Sequence, residues 1–139
     1  MEKIAWDSSL SIGVDVIDEQ HKMLINRLND LSAALREGRG EGEIGRTLDF
    51  LAEYTDFHFS AEEELMKEQE YPGLPLQKHE HKAFREILSN LVDDFQQEGA
   101  TWALARAIDA FLFNWLVKHI KGVDLQLGDY LRDKGVVPK

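Results

Sequence analysis

The sequence predicts an all-α fold: an antiparallel up-down-up-down four-helix bundle with an extended N-terminal arm and a short C-terminal helix. Three observations carry this. Apolar residues recur at three- and four-residue intervals along four separate stretches. Each stretch is closed by glycine or proline. No two alternating runs flank a hairpin turn. At 139 residues the chain has the size of one domain, taken as residues 1–139, and can bury a core without covalent staples.

The elements follow in order. "SIGVDVID" at 11–18 alternates apolar and polar residues but has no partner strand, so it is read as the extended arm. Asp18 offers an N-cap, and His21, Leu24, Leu28, Leu31 and Leu35 then form the inward face of a first helix, which "GRGEG" at 38–42 ends. Ile44, Leu48, Leu51, Thr55, His58, Glu62 and Leu65 form a second stripe, broken by "YPGLP" at 71–75. Gln77, His81, Phe84, Leu88, Leu91 and Phe95 form a third, stopping near Gly99. Ala105, Ile108, Leu112, Trp115, Leu116 and His119 form a fourth, with an end expected near Gly122. A final "DLQLGDYLRDKG" reads as the short C-terminal helix. Short turns between such helices make neighbours antiparallel.

Composition narrows the chemistry. The chain has no cysteine, so any metal must be held by imidazole nitrogen and carboxylate or amide oxygen, a set that suits iron, manganese or zinc. Sixteen basic residues against 26 acidic give a formal charge of −10, which repels nucleic acid and anionic membrane. The N-terminus has no apolar leader core and no stretch reaches the ~18 apolar residues of a membrane span. A soluble, cytoplasmic protein with no nucleic-acid or membrane partner is expected; no protein partner is identified.

The anomaly is polar. A lone histidine on an apolar helix face is ordinarily a hydrogen-bonded core residue, but here each of the four stripes carries one: His21, His58, His81 and His119. Glu62 follows His58 by four residues and Gln77 precedes His81 by four. Such pairs project about 40° apart on one helix face, so one metal or a close pair can take both. Burying Glu62 uncompensated would cost several kcal/mol, roughly. His119 and Asp124 stand five apart, about 140° on an ideal helix, and converge only where the backbone distorts or ends; Gly122 between them permits that. Hard oxygens and imidazoles in this number point to two irons bridged by carboxylates.

His21, "HFSAE" from His58 to Glu62, "QKHEHKAF" from 77 and "WLVKHIKGVD" up to Asp124 resemble the hemerythrin family, in particular the stand-alone bacterial hemerythrins. Trp6 with Gly13, "DEQH" at 18–21, "YP" at 71–72 and "FLFNWL" before His119 extend the likeness over nearly the whole chain. The resemblance implies a non-haem di-iron centre, two iron ions with an oxo or hydroxo bridge, with Glu62 and Asp124 bridging as well. His21 and His58 would complete one iron; His81, His119 and the residue at 77 would complete the other. Dioxygen would bind reversibly at the two-histidine iron, for carriage, storage or sensing, in an apolar pocket for which Leu24, Trp115 and Leu116 are candidate linings. Each of those three reads equally well as plain core packing.

Position 77 departs from the family pattern, which has histidine there. His79 lies about 200° around the helix from His81 and is expected at the surface. A slipped register would require a histidine at position 83, where the chain has Ala83. Gln77 can offer its amide oxygen as a weak neutral ligand, or stay off the metal and hydrogen-bond a bound water or the bridge. Both leave the second iron weakly ligated or open to azide, peroxide or nitric oxide. Alternatives to oxygen binding are therefore an oxidase- or peroxidase-like di-iron enzyme, or a nitric oxide or iron sensor. The rest of "AEEELMKEQE" is read as a solvated face, and Trp6, Trp102 and Trp115 as capping and core aromatics.

Overall fold

The structure is a computed structural model that describes residues 6–136. A short 3-10 turn, Ser8–Leu10, precedes three long helices: α1 (Asp15–Arg36), α2 (Glu41–Glu68) and α3 (Leu74–Glu98). The fourth rod is composite. It runs through α4 (Trp102–Ala107), a π-helical segment (Ile108–Phe113), α5 (Asn114–Lys118), a second π-helical segment (His119–Asp124) and α6 (Leu125–Asp133). The backbone stays in the right-handed helical region across each of its junctions. No strand occurs among the described residues.

α1 packs on α2 and α2 on α3, while the fourth rod touches both α1 and α3 and closes the ring. Connections of a few residues force each neighbour to run back antiparallel, which gives the four-helix bundle the stripes require. The stripes are the core: Leu24, Leu28, Leu31, Leu48, Leu51, Phe84, Leu88, Leu112 and Leu116 are all buried. Leu35, Leu65, Phe95 and Trp115 of the stripes are only partly buried, and in α2 the place passes to a neighbour. Met66, not Leu65, closes the α2 stripe at full burial, and Leu65 only packs against its edge. Trp102 is 68% exposed at the start of α4 and caps nothing.

Element ends depart from the sequence reading for identifiable reasons. α1 starts at Asp15, so Asp18 is not its N-cap. Its carboxylate instead reaches back, accepting from the Ile12 N–H at 2.9 Å and the Ser11 hydroxyl at 2.6 Å, and ties the arm to the helix. Only residues 11–14 of "SIGVDVID" are arm. α2 starts at Glu41 and carries Gly42 and Gly45 within its first turns. α3 starts at Leu74 with Pro75 in its first turn, where a missing N–H costs nothing. Thr101 caps α4 by accepting from the Leu104 N–H at 3.0 Å.

The fourth rod does not stop near Gly122. Its second π segment has about one more residue per turn than an α-helix, so residues five apart return to the same face. Gly122 itself meets no neighbour that a Cβ would touch and has no left-handed φ. The distortion therefore does not depend on glycine. Gly128, by contrast, sits against the arm: a Cβ there would overlap the Ile12 carbonyl, which also accepts from Arg132 Nη1 at 2.6 Å.

Two substitutions separate these glycines. Gly128→Ala should push the arm off α6 and lower unfolding stability by about 1–3 kcal/mol, as overpacking does. Gly122→Ala should leave stability unchanged or raise it by about 0.4–1 kcal/mol. Chemical denaturation of both variants checks this; equal losses would show that the second π segment needs a glycine.

Candidate metal centre

Each helix brings its polar residues to one level of the bundle. α1 supplies His21, α2 supplies His58 and Glu62, α3 supplies Gln77 and His81, and the second π segment supplies His119 and Asp124. All seven are at most 2% exposed. His79, two residues from Gln77 and two from His81, is exposed as expected. Gln77 faces inward with the others, as the α3 register requires.

The four imidazoles aim Nε2 at two carboxylates. Glu62 Oε1 lies 3.0 Å from His58 Nε2 and 3.4 Å from His81 Nε2, and Glu62 Oε2 lies 3.9 Å from His21 Nε2. Asp124 Oδ2 lies 3.0 Å from His21 Nε2, and Oδ1 lies 3.2 Å from His119 Nε2. Ligand-capable atoms converge in two overlapping sets, His21 with His58 and Glu62, and Glu62 with His81 and His119. Glu62 belongs to both. Gln77 donates its amide N–H to Asp124 Oδ1 at 2.9 Å, and its own carbonyl oxygen is left without a partner.

Behind the imidazoles stands a second set of groups that the sequence reading did not single out. His58 Nδ1 meets Gln20 Oε1 at 2.7 Å, His81 Nδ1 meets Glu63 Oε2 at 2.7 Å, and His119 Nδ1 lies 3.7 Å from Glu80 Oε1. Each oxygen comes from the preceding helix, at a residue directly beside that helix's own inward polar residue: Gln20 before His21, Glu63 after Glu62, Glu80 before His81. One residue turns about 100° around a helix, enough to face the neighbour. Glu63 is therefore not part of a solvated face. That adjacency was the available signal, visible only once the order of helices around the bundle is known.

Aromatic rings fix the planes. Phe59 stacks flat on His81, centroids 3.9 Å apart and 5° from parallel, and Trp115 stacks on His119 at 4.4 Å and 13°. Trp115 thus lies on the His119 side of the centre. Leu24 and Leu116 are buried in the surrounding core.

Electrostatics bind the centre tightly. Burial works against a charged His21, but the Asp124 carboxylate and the Glu62 charge outweigh it and raise its pKa. His119 is raised for the same reasons, burial opposing, Asp124, Glu62 and Glu80 prevailing. Burial likewise pushes Asp124 up, yet His119 and His21 hold it well below the usual carboxylate range. Burial and the Asp124 charge push Glu62 up, and His58 and His81 bring it below its usual value.

The donor set fits metal. Among the described residues, buried side-chain atoms without a hydrogen-bond partner gather here: both ring nitrogens of His21 and His119, His81 Nε2, both Glu62 oxygens, Asp124 Oδ2 and Gln77 Oε1. The close Nε2 to carboxylate approaches lack hydrogen-bond alignment. Buried polar groups are almost always satisfied, and cations between the imidazole Nε2 atoms and the carboxylates would satisfy all of these except the two Nδ1 atoms, which face away from the carboxylates.

The chain matches the Hemerythrin HHE cation binding domain over residues 12–131. It is 33% identical to the bacteriohemerythrin of Stenotrophomonas maltophilia, with 95% of this chain and 84% of that protein covered. It is 30% identical to the myohemerythrin of Theromyzon tessulatum, covering 90% and 91%. Among solved structures, wild-type hemerythrin superposes with a TM-score of 0.79 at 29% identity, covering 91% of this chain and 95% of that one. A four-helix bundle, a convergent set of imidazoles and carboxylates, and these likenesses over nearly the full length make one conclusion: the chain belongs to the hemerythrin family.

Proposed function

Hemerythrins are di-iron oxygen-binding proteins, and we infer that this chain binds dioxygen at two irons in its bundle core, for carriage, storage or sensing. The observation that supports it most is the pair of overlapping ligand sets sharing Glu62, in a core where so many polar atoms lack partners. His21 and His58 would hold one iron, His81 and His119 the other, with Glu62 and Asp124 spanning both beside an oxo or hydroxo bridge. The irons would supply the electrons and the open position that dioxygen needs.

The protein's own groups do the rest. Buried Leu24 and Leu116 and the Trp115 ring keep the centre apolar around its charged heart, which excludes water and slows irreversible oxidation. Gln77 has its N–H on Asp124 and leaves the second iron one imidazole short. That shortage favours a second reading, an oxidase- or peroxidase-like centre, since open positions distinguish sites that do chemistry. Azide, peroxide and nitric oxide are the small ligands such a centre would admit. No helix among the described residues is long and apolar enough to cross a membrane, and a cytoplasmic location is proposed with the function.

Elemental analysis of anaerobically reconstituted protein should find two irons per chain. Glu62→Ala and Asp124→Ala should each lose at least one, and His79→Ala none. One zinc, or iron loss in the His79 variant, would defeat the assignment.

Oxygenated protein should decay quickly to the ferric form, and Gln77→His should slow that decay and weaken azide binding. Equal lifetimes of the oxygenated absorption band and equal azide affinities would show position 77 to be electronically silent.

The pKa directions set a pH window for metal-free protein. His21 and His119 are raised, so their contribution to stability is full below about 6.5 and is lost as pH rises through their folded values. Glu62 and Asp124 are lowered, so theirs is full above about 4.5 and is lost as pH falls through their folded values. Metal-free stability should peak between these limits. Iron binding at neutral pH should release protons from the imidazoles, measurable by calorimetry in buffers of different ionisation enthalpy; no release would mean that the imidazoles are already neutral.

A further inference from the structure

The groups on the imidazole Nδ1 atoms follow the bundle around and change character on the way. α1 gives His58 a neutral amide, Gln20; α2 gives His81 a carboxylate, Glu63; α3 sets a carboxylate, Glu80, 3.7 Å from His119. Among the described residues the step from the fourth rod back to α1 is missing, and His21 Nδ1 has no hydrogen-bond partner. Charge is thus concentrated behind the two imidazoles on the side of Gln77, where the third imidazole is lacking, and is absent behind the other two.

We propose that Glu63 compensates for Gln77 by strengthening His81 as a donor to the metal on that side, with the charge of Glu80, 3.7 Å from His119 and not hydrogen-bonded to it, adding a weaker pull on His119. This rests on reading the centre as a two-metal site. An imidazole that ligates through Nε2 carries its proton on Nδ1, and a carboxylate accepting that proton pulls electron density toward Nε2. A neutral amide does so less. Phe59, flat on His81, restrains the ring from tilting but leaves it free to turn in its own plane. The 2.7 Å contact with Glu63 sets that turn. Glu63 is therefore a positioning residue for His81.

Its surroundings suit the role. The Glu63 side chain is 22% exposed and lines a polar groove of about 250 Å3 with Ser60, Glu64, Lys67, Leu74 and Lys78. Contact with water spares the carboxylate the cost of full burial. It also means that Glu63→Gln preserves shape and leaves no buried charge unpaired.

The test is anaerobic titration of metal-free protein with ferrous iron alone, reading stoichiometry and stepwise affinity, with zinc as a redox-inert repeat. Wild type should take two ions. Glu63→Gln should bind the first as wild type does and the second about 10–100-fold more weakly, and Glu80→Gln should weaken the same step less. In the Gln77→His background the Glu63→Gln loss should shrink markedly, because the restored imidazole makes the compensation redundant. Circular dichroism confirms folding; if Glu63→Gln does not fold, Glu80→Gln in both backgrounds carries the test. Fewer than two ions in wild type defeats the two-metal reading and this inference with it. Two ions in wild type with unchanged affinities in both glutamate variants overturns the inference alone, as does an equal loss in both backgrounds.

Discussion

The structure is organised around one unfavourable act: two carboxylates, four imidazoles and an amide are placed at the centre of an apolar bundle, out of reach of water. An isolated buried carboxylate costs several kcal/mol, roughly, and breaking a buried pair about 3–5. A slip of any helix by one residue would turn its polar group about 100° into a leucine layer and strand its partners. The leucines supply the driving force for collapse, but they are interchangeable among registers; the polar level is not. It selects one alignment of four helices from the many that would bury equal apolar area.

That constraint explains how much could be read beforehand. The inward stripes, the bundle and six of the seven polar residues rest on helical periodicity, a signal local to each stretch, whereas Asp124 rested on an expected backbone distortion and on the family resemblance; all seven lie together at the centre. Helix ends were read less well because capping was settled by tertiary contact. Asp18 looks like an N-cap in isolation, but its carboxylate is spent on the arm at Ser11 and Ile12. Glu63 was hidden for a related reason: within "AEEELMKEQE" nothing distinguishes it from solvated neighbours until α3 is laid beside α2 and brings His81 to it. Trp102 shows the opposite error, a large aromatic whose size suggested burial that its place at a helix start does not provide.

The groups around the imidazoles show how a bundle distributes influence. Each of the first three helices does two jobs with adjacent residues, one facing the centre and one facing the next helix. Orientation of His58 and His81 is thereby delegated to the neighbour: α1 orients the one on α2 and α2 the one on α3, while α3 only faces His119 of the fourth rod. Such an arrangement couples ligand geometry to the relative rotation of helix pairs. Gln77 follows the same logic by a different route, since α3 uses it to hold Asp124 of the fourth rod.

The two π-helical segments give the fourth rod a property that composition does not reveal. Each holds about one residue more than α-helical winding would over the same length, and so shifts the phase of everything downstream by about 100°. His119 and Asp124 share a face because the second shift lies between them, and Gly128 meets the Ile12 carbonyl because the same shift has already occurred. The metal face and the arm-binding face of this rod are thus set by residue count rather than residue identity. A one-residue insertion between 120 and 123 would retain every ligand and every apolar side chain, yet turn Asp124 out of the centre and Gly128 away from the arm together, whereas loss of Lys121 or Gly122 would let the segment wind as α-helix and keep both in place. In this rod, length is as much a functional trait as any side chain.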